Sequence, residues 1–107
     1  AMIDPLQISQ VFMNLFMNAC HAMEGEGTIT LSLYSDGGTV IRVRDSGPGI
    51  SGDALPRIFI PFYSTRTKGT GLGLSVCREI VEKHGGTISA GNGPERYAEF
   101  IITLPES

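Results

Sequence analysis

The chain has 107 residues, 41% of them hydrophobic, which is enough for one packed core but too short for two ordinary domains. Its formal charge of -3, with acidic and basic residues interspersed, leaves no basic stripe to follow a phosphate backbone and argues against nucleic acid as a partner. No run approaches the roughly 18 apolar residues of a membrane span, and the start lacks the order of a signal peptide. A single soluble domain over residues 1–107, cytoplasmic and without membrane contact of its own, is expected. Ala1 ahead of Met2 reads as a cloning remnant, so a domain cut from a longer protein is also expected.

From Pro5 to about Met23 the residues Ile8, Phe12, Leu15, Phe16, Ala19 and Met23 recur at spacings of three and four, which predicts an amphipathic helix started by Asp4. Thr28 to Tyr34 alternates polar and apolar residues, as a strand with one buried face does. Ser35 to Gly38 is a tight turn, and Thr39 to Asp45 completes a hairpin. Residues 46 to about 70 show little periodicity apart from a short helix expected around Asp53 to Ile58, and so long an irregular stretch is usually functional. A second helix is predicted from about Gly71 to His84, with Leu74, Val76, Cys77, Ile80 and Val81 on one arc and an i,i+4 pair between Glu79 and Lys83. Gly85 and Gly86 stop it. Thr87 to Ala90 and roughly Tyr97 to Leu104 are two further strands around a turn at Asn92-Gly93-Pro94, closed by Pro105. This order predicts an α+β fold, a two-layer sandwich with a mostly antiparallel mixed sheet covered on one face by helices. Cys20 and Cys77 fall in the two helices without a second cysteine or histidine at metal-ligand spacing, and are expected to be buried free thiols.

Strand parity singles out Asp45. It shares a face with Ile41 and Val43, so if those point toward the helices the carboxylate is aimed into the same layer. A buried carboxylate needs donors, from the protein or from the N–H groups of a ligand. Gly47 and Gly49 would let the backbone approach a flat ring, Pro48 would stiffen the turn, and Ile50 could lie against the ring face. A glycine-rich turn in which the aspartate caps local amides explains the same residues. On the first helix Gln7, Gln10, Asn14, Asn18 and His21 lie close together, and asparagine is a poor helix former. The carbonyl oxygen of Asn18 suits Mg²⁺, and His21 could donate to a phosphate, although an exposed helical histidine would look the same. Gly69-Thr70-Gly71-Leu72-Gly73-Leu74, opening the second helix, frees backbone N–H groups to meet an anion at a helix start. It is neither a dinucleotide fingerprint nor a P-loop. Upstream, Ser64-Thr65-Arg66-Thr67-Lys68 could close over a polyphosphate or simply be a solvated loop.

In chain order these segments resemble the ATP-binding catalytic domain of sensor histidine kinases, in the superfamily that includes type II topoisomerases, heat-shock chaperones and mismatch-repair ATPases. Gln10 to Ala19 looks like the asparagine box and Asp45 to Ile50 like the first glycine box. Phe59-Ile60-Pro61-Phe62 is similar to the phenylalanine box, with Ile60 where many relatives place an acidic residue. Gly69 to Leu74 is similar to the second glycine box.

The resemblance implies that Asn18 ligates Mg²⁺, with Asn14 supporting the same helix face and His21 at a phosphate-contacting position. It implies that Asp45 receives the adenine amine beside Gly47, Gly49 and Ile50. Tyr63 to Lys68, including Thr65, Arg66 and Lys68, would be a short lid next to Phe62. Gly69, Thr70, Gly71, Leu72, Gly73 and Leu74 would frame the phosphates. The implied activity is that of a protein-histidine kinase: Mg²⁺-ATP is bound and its γ-phosphate is delivered to a histidine on a separate dimerisation domain of the parent kinase, for relay to the receiver domain of a response regulator. His21 and His84 make poor acceptors, one lying in the ATP site and the other at a helix end. An anti-sigma-type serine kinase, or a regulatory module that binds nucleotide without transferring phosphate, are the alternatives. A chaperone-like or topoisomerase-like ATPase would need a glutamate early in the first helix, where Gln7 and Gln10 stand.

Overall fold

The computed structural model describes residues 4–35, 37–61, 73–93 and 97–105. Helix α1 spans Pro5–Ala22, strands β1 and β2 span Ile29–Ser35 and Gly38–Asp45, helix α2 spans Gly73–Lys83, and strands β3 and β4 span Thr87–Asn92 and Ala98–Pro105. A single 3-10 turn, Leu55–Arg57, occupies the segment between β2 and α2 where a short helix was expected. The strands form one four-stranded sheet in the order β1-β2-β4-β3, and every pairing is antiparallel. The expected sandwich is what forms, although the described sheet has no parallel pair.

Asp4 starts α1 as expected: its backbone is extended and its side chain accepts from the N–H groups of Leu6 and Gln7, two donors with no partner inside the helix. α2 ends where the N–H groups of Gly85 and Gly86 turn back onto the carbonyls of Glu82 and Val81. His84 closes the gap between the two helices. It is buried, accepts the N–H of Asp4 at Nε2 over 3.0 Å, and places Nδ1 2.8 Å from the carbonyl of Ile80. An N–H donor at Nε2 and a carbonyl at Nδ1 are both satisfied only when the ring is neutral with its proton on Nδ1.

The core joins Val11 and Leu15 of α1, Cys77, Ile80 and Val81 of α2, Ile41 and Val43 of β2, and Phe100, Ile102 and Leu104 of β4. Register explains this set: Val43 pairs with Phe100 and Ile41 with Ile102, so alternate residues of the two central strands meet on the helix-facing side. Four expectations are corrected. The buried line of α1 is Val11, Leu15 and Ala19, whereas Phe16 is 38% exposed, because α1 packs against α2 as well as the sheet and is rotated to serve both. Cys20, expected to be buried, is exposed on the far side of that line; Cys77 is fully buried, and both are free thiols. β1 does not bury one face: Leu31 and Leu33 lie opposite Val43 and Ile41 yet remain 53% and 70% exposed, since β1 is an edge strand that the described helices do not cover. On the outer face of α2 the ion pair is Arg78 to Glu82, one residue before the expected Glu79 to Lys83.

Candidate functional site

Asp45 is the last residue of β2 and is 4% exposed, on the face shared with Ile41 and Val43. Parity therefore aims the carboxylate into the helix-facing layer, at the end of the sheet. Its Oδ1 accepts the N–H of Gly47 over 2.8 Å, and Oδ2 takes no hydrogen bond from any described residue. One oxygen thus caps a local amide, as the reading of a glycine-rich turn expects.

The turn after Asp45 is held from two sides. Ser46 extends the β1 to β2 ladder by donating its backbone N–H to the Thr28 carbonyl over 3.0 Å, and its Oγ accepts the N–H of Thr28 over 2.8 Å. Gly47 lies against the end of α1: a Cβ there would stand 3.0 Å from Asp45 Oδ1, 3.2 Å from Met23 Cγ and 3.4 Å from the Ala22 carbonyl. Gly49 has φ +84°, the left-handed conformation that a side chain disfavours. Ile50 is half-buried against the core, with its backbone gripped by Asn92 at the end of β3. Ser46 and Asn92 were not among the candidate residues. A hydroxyl at a strand end is a detectable local signal for the first, while nothing near Asn92 in the chain announces a partner 42 residues away.

On α1, Asn14 and Asn18 are half-buried beside the Val11 and Leu15 line, whereas His21 is exposed. Asn14 Nδ2 donates to the carbonyl of Gly73 over 3.2 Å and so ties the asparagine-bearing helix to the first residue of α2. Next to this contact the Cys77 Sγ lies 3.6 Å from the Val11 carbonyl, and burial pushes its thiol up to about 11, with Asn14 opposing. Leu74 turns inward against the core. Phe62, Thr65, Arg66, Lys68, Gly69, Thr70, Gly71 and Leu72 lie outside the described residues. The depression between Gly38, Val40, Gly85 and Pro105 sits at the opposite end of the sheet from Asp45 and has no part in this arrangement.

Residues 3–107 match the family described as histidine kinase-, DNA gyrase B-, and HSP90-like ATPase. The chain belongs to this family. It is 46% identical over 104 residues to the sensor histidine kinase ZraS of Klebsiella oxytoca, which covers 95% of this chain and 22% of that protein. It is 44% identical over 101 residues to sporulation kinase D of Bacillus subtilis, covering 94% of this chain and 20% of that one. The chain thus spans about a fifth of the length of these relatives. Among solved structures, the catalytic domain of histidine kinase ThkA superposes with a TM-score of 0.84 at 40% identity, covering 96% of this chain and 68% of the other. Full-length ShkA in complex with AMPPNP gives 0.79 at 32% identity, covering 92% and 21%. Within this ATPase family the fold is the α+β sandwich of histidine kinase catalytic domains. Among the described residues no helix is long and apolar enough to cross a membrane.

Proposed function

We propose that residues 1–107 form one catalytic domain of a sensor histidine kinase, which binds Mg²⁺-ATP and presents the γ-phosphate to a histidine on a separate dimerisation domain, for relay to a response-regulator aspartate. The observation that carries this reading is the Asp45 carboxylate, buried at a strand end with one oxygen committed to Gly47 and the other open to a donor. The exocyclic amine of adenine is a donor of the right kind, and guanine offers a carbonyl at the corresponding place, which would repel the carboxylate. Gly47, Gly49 and Ile50 form the wall beside it.

Asn18 is the residue we assign to Mg²⁺. Its side chain is half-buried and makes no hydrogen bond to a described residue, and a neutral amide oxygen fits a hard cation whose charge the phosphates already balance. The metal would supply charge neutralisation at the phosphates. His21, Thr65, Arg66, Lys68, Phe62, and Gly69 to Leu74 are assigned to the phosphates and the lid over them. Phosphoryl transfer needs little covalent chemistry from the protein, so this chain's task is positioning and charge compensation, with Asp45 selecting the base and Asn18 holding the metal end. The hydrogen bond from Asn14 to Gly73 ties the helix that carries Asn18 to the start of α2. The similarity to the sensor histidine kinase ZraS and to histidine kinase ThkA supports histidine as the acceptor class.

Calorimetry of ATP and GTP with Mg²⁺ on the native chain and on Asp45→Asn tests the reading. ATP should bind in clear preference to GTP, and the substitution should weaken ATP by about tenfold or more, roughly the 1.4 kcal/mol of a charge-assisted hydrogen bond. Equal binding of the two nucleotides, or an unaffected mutant, would refute the base assignment.

A further inference from the structure

Asn92 makes a two-point grip on one backbone unit. Its Oδ1 accepts the N–H of Ile50 over 2.8 Å and its Nδ2 donates to the carbonyl of the same residue over 2.7 Å. Among the described residues no backbone pairing holds Ile50, which lies five residues beyond the end of β2 and just after the left-handed Gly49. Ile50 therefore owes its place to a side chain from the far edge of the sheet.

The register shows what that place is. Asn92 pairs with Ala98 across β3 and β4, and Arg44 pairs with Glu99 across β2 and β4, so the next residue of β2, Asp45, flanks Ala98 from the other side. Asp45, Ala98 and Asn92 stand in one row at the end of the sheet. Parity puts all three on the helix-facing side, with Val43, Phe100 and Ala90 behind them. Two interstrand spacings, roughly 10 Å, separate the outer members of the row. The 46–50 turn leaves Asp45 at one end of it and is caught by Asn92 at the other, above the buried methyl of Ala98.

We propose that Asn92 is a positioning residue for base recognition, fixing the Ile50 backbone so that the wall of the pocket stands at a set distance from the Asp45 carboxylate. This rests on the reading of Asp45 as the adenine acceptor. The grip needs one donor and one acceptor on a short side chain. Aspartate keeps only the acceptor and sets a charge against the Ile50 carbonyl, and alanine keeps neither. The pairing of β3 with β4 uses backbone groups, so loss of the side chain leaves the sheet intact.

The experiment measures Mg²⁺-ATP and Mg²⁺-GTP affinity by calorimetry, amide exchange at Ile50 by NMR, and the thermal midpoint, for the native chain, Asn92→Ala and Asn92→Asp. Both variants should bind ATP about tenfold more weakly, show a reduced ATP over GTP ratio and exchange the Ile50 amide faster, with a midpoint within a few degrees of native. A native chain that does not bind ATP would remove the base assignment itself. Native binding together with unchanged ATP affinity in both variants overturns the clamp alone, as does weakened binding with Ile50 exchange unaltered. Should Asn92→Ala fail to fold, Asn92→Asp decides by the same readouts.

Discussion

Two cysteines of identical chemistry differ only in where α1 and α2 place them. Cys20 is exposed and Cys77 is fully buried, so a thiol reagent applied to the native chain should modify one thiol rapidly and the second only on unfolding. Burial raises Cys77 from the ordinary 9.0 to about 11, which has a signed consequence for stability. The unfolded thiol ionises first as pH rises, so the contribution of the buried neutral thiol is complete below pH 9 and is lost progressively between 9 and about 11. The loss should amount to about 2 to 3 kcal/mol in urea titrations across that window, and Cys77→Ala should flatten the slope. Gly47 makes a second case. A Cβ there would stand 3.0 Å from the carboxylate and 3.2 Å from Met23, so Gly47→Ala should cost about 1 to 3 kcal/mol by the same titration, with ATP affinity reduced because Asp45 must shift. Asp45 itself could be found from parity within a single strand. Its hydrogen bond to Gly47 was one of two readings, and only the folded turn shows that one oxygen is used while the other takes no hydrogen bond from a described residue.

At the level of elements, each helix was legible from its period and its ends. The Asp4 cap is local, since the side chain and the two amides it serves lie within three residues; Asp4→Ala should destabilise the chain by about 1 kcal/mol in chemical denaturation. The buried line of α1 was not legible to the same degree. Phe16 extends the apolar arc past the residues that the described sheet and α2 cover, while Phe12 packs at the margin of the core, and periodicity marks an arc without saying where its centre lies. Tertiary packing chose Val11 and Leu15. Leu15→Ala should therefore cost about 2 to 5 kcal/mol, measured as a lowered denaturation midpoint, whereas Phe16→Ala, at a residue 38% exposed, should cost clearly less.

Across the whole molecule, the helices cover the sheet unevenly. β1 carries Leu31 and Leu33 on the helix-facing side with nothing described above them, and α1 turns Leu6, Met13 and Met17 outward at 82%, 59% and 53% exposure. Leu33→Lys should shift stability by no more than about 0.5 kcal/mol, because little apolar area is returned to water. Two long-range contacts, Asn92 to Ile50 and Asn14 to Gly73, tie the turn after β2 to the end of β3 and α1 to the start of α2. The proposed nucleotide site would therefore draw on residues that are distant in sequence but braced by the same two layers.

What the sequence by itself determined is whatever depends on near neighbours. Alternation and three-to-four spacing predicted the four strands, the two helices and their order, parity placed Asp45 inward, and the order of four short motifs pointed to the family. What only the tertiary structure decided is which surfaces meet. The exposure of β1 follows from its being an edge strand, and the rotation of α1 from having two neighbours. The His84 link to Asp4 and the Asn92 grip on Ile50 join residues 80 and 42 positions apart. Such a hydrogen bond has no trace in local spacing, because its donor and acceptor become neighbours only once the sheet has brought the strand ends together.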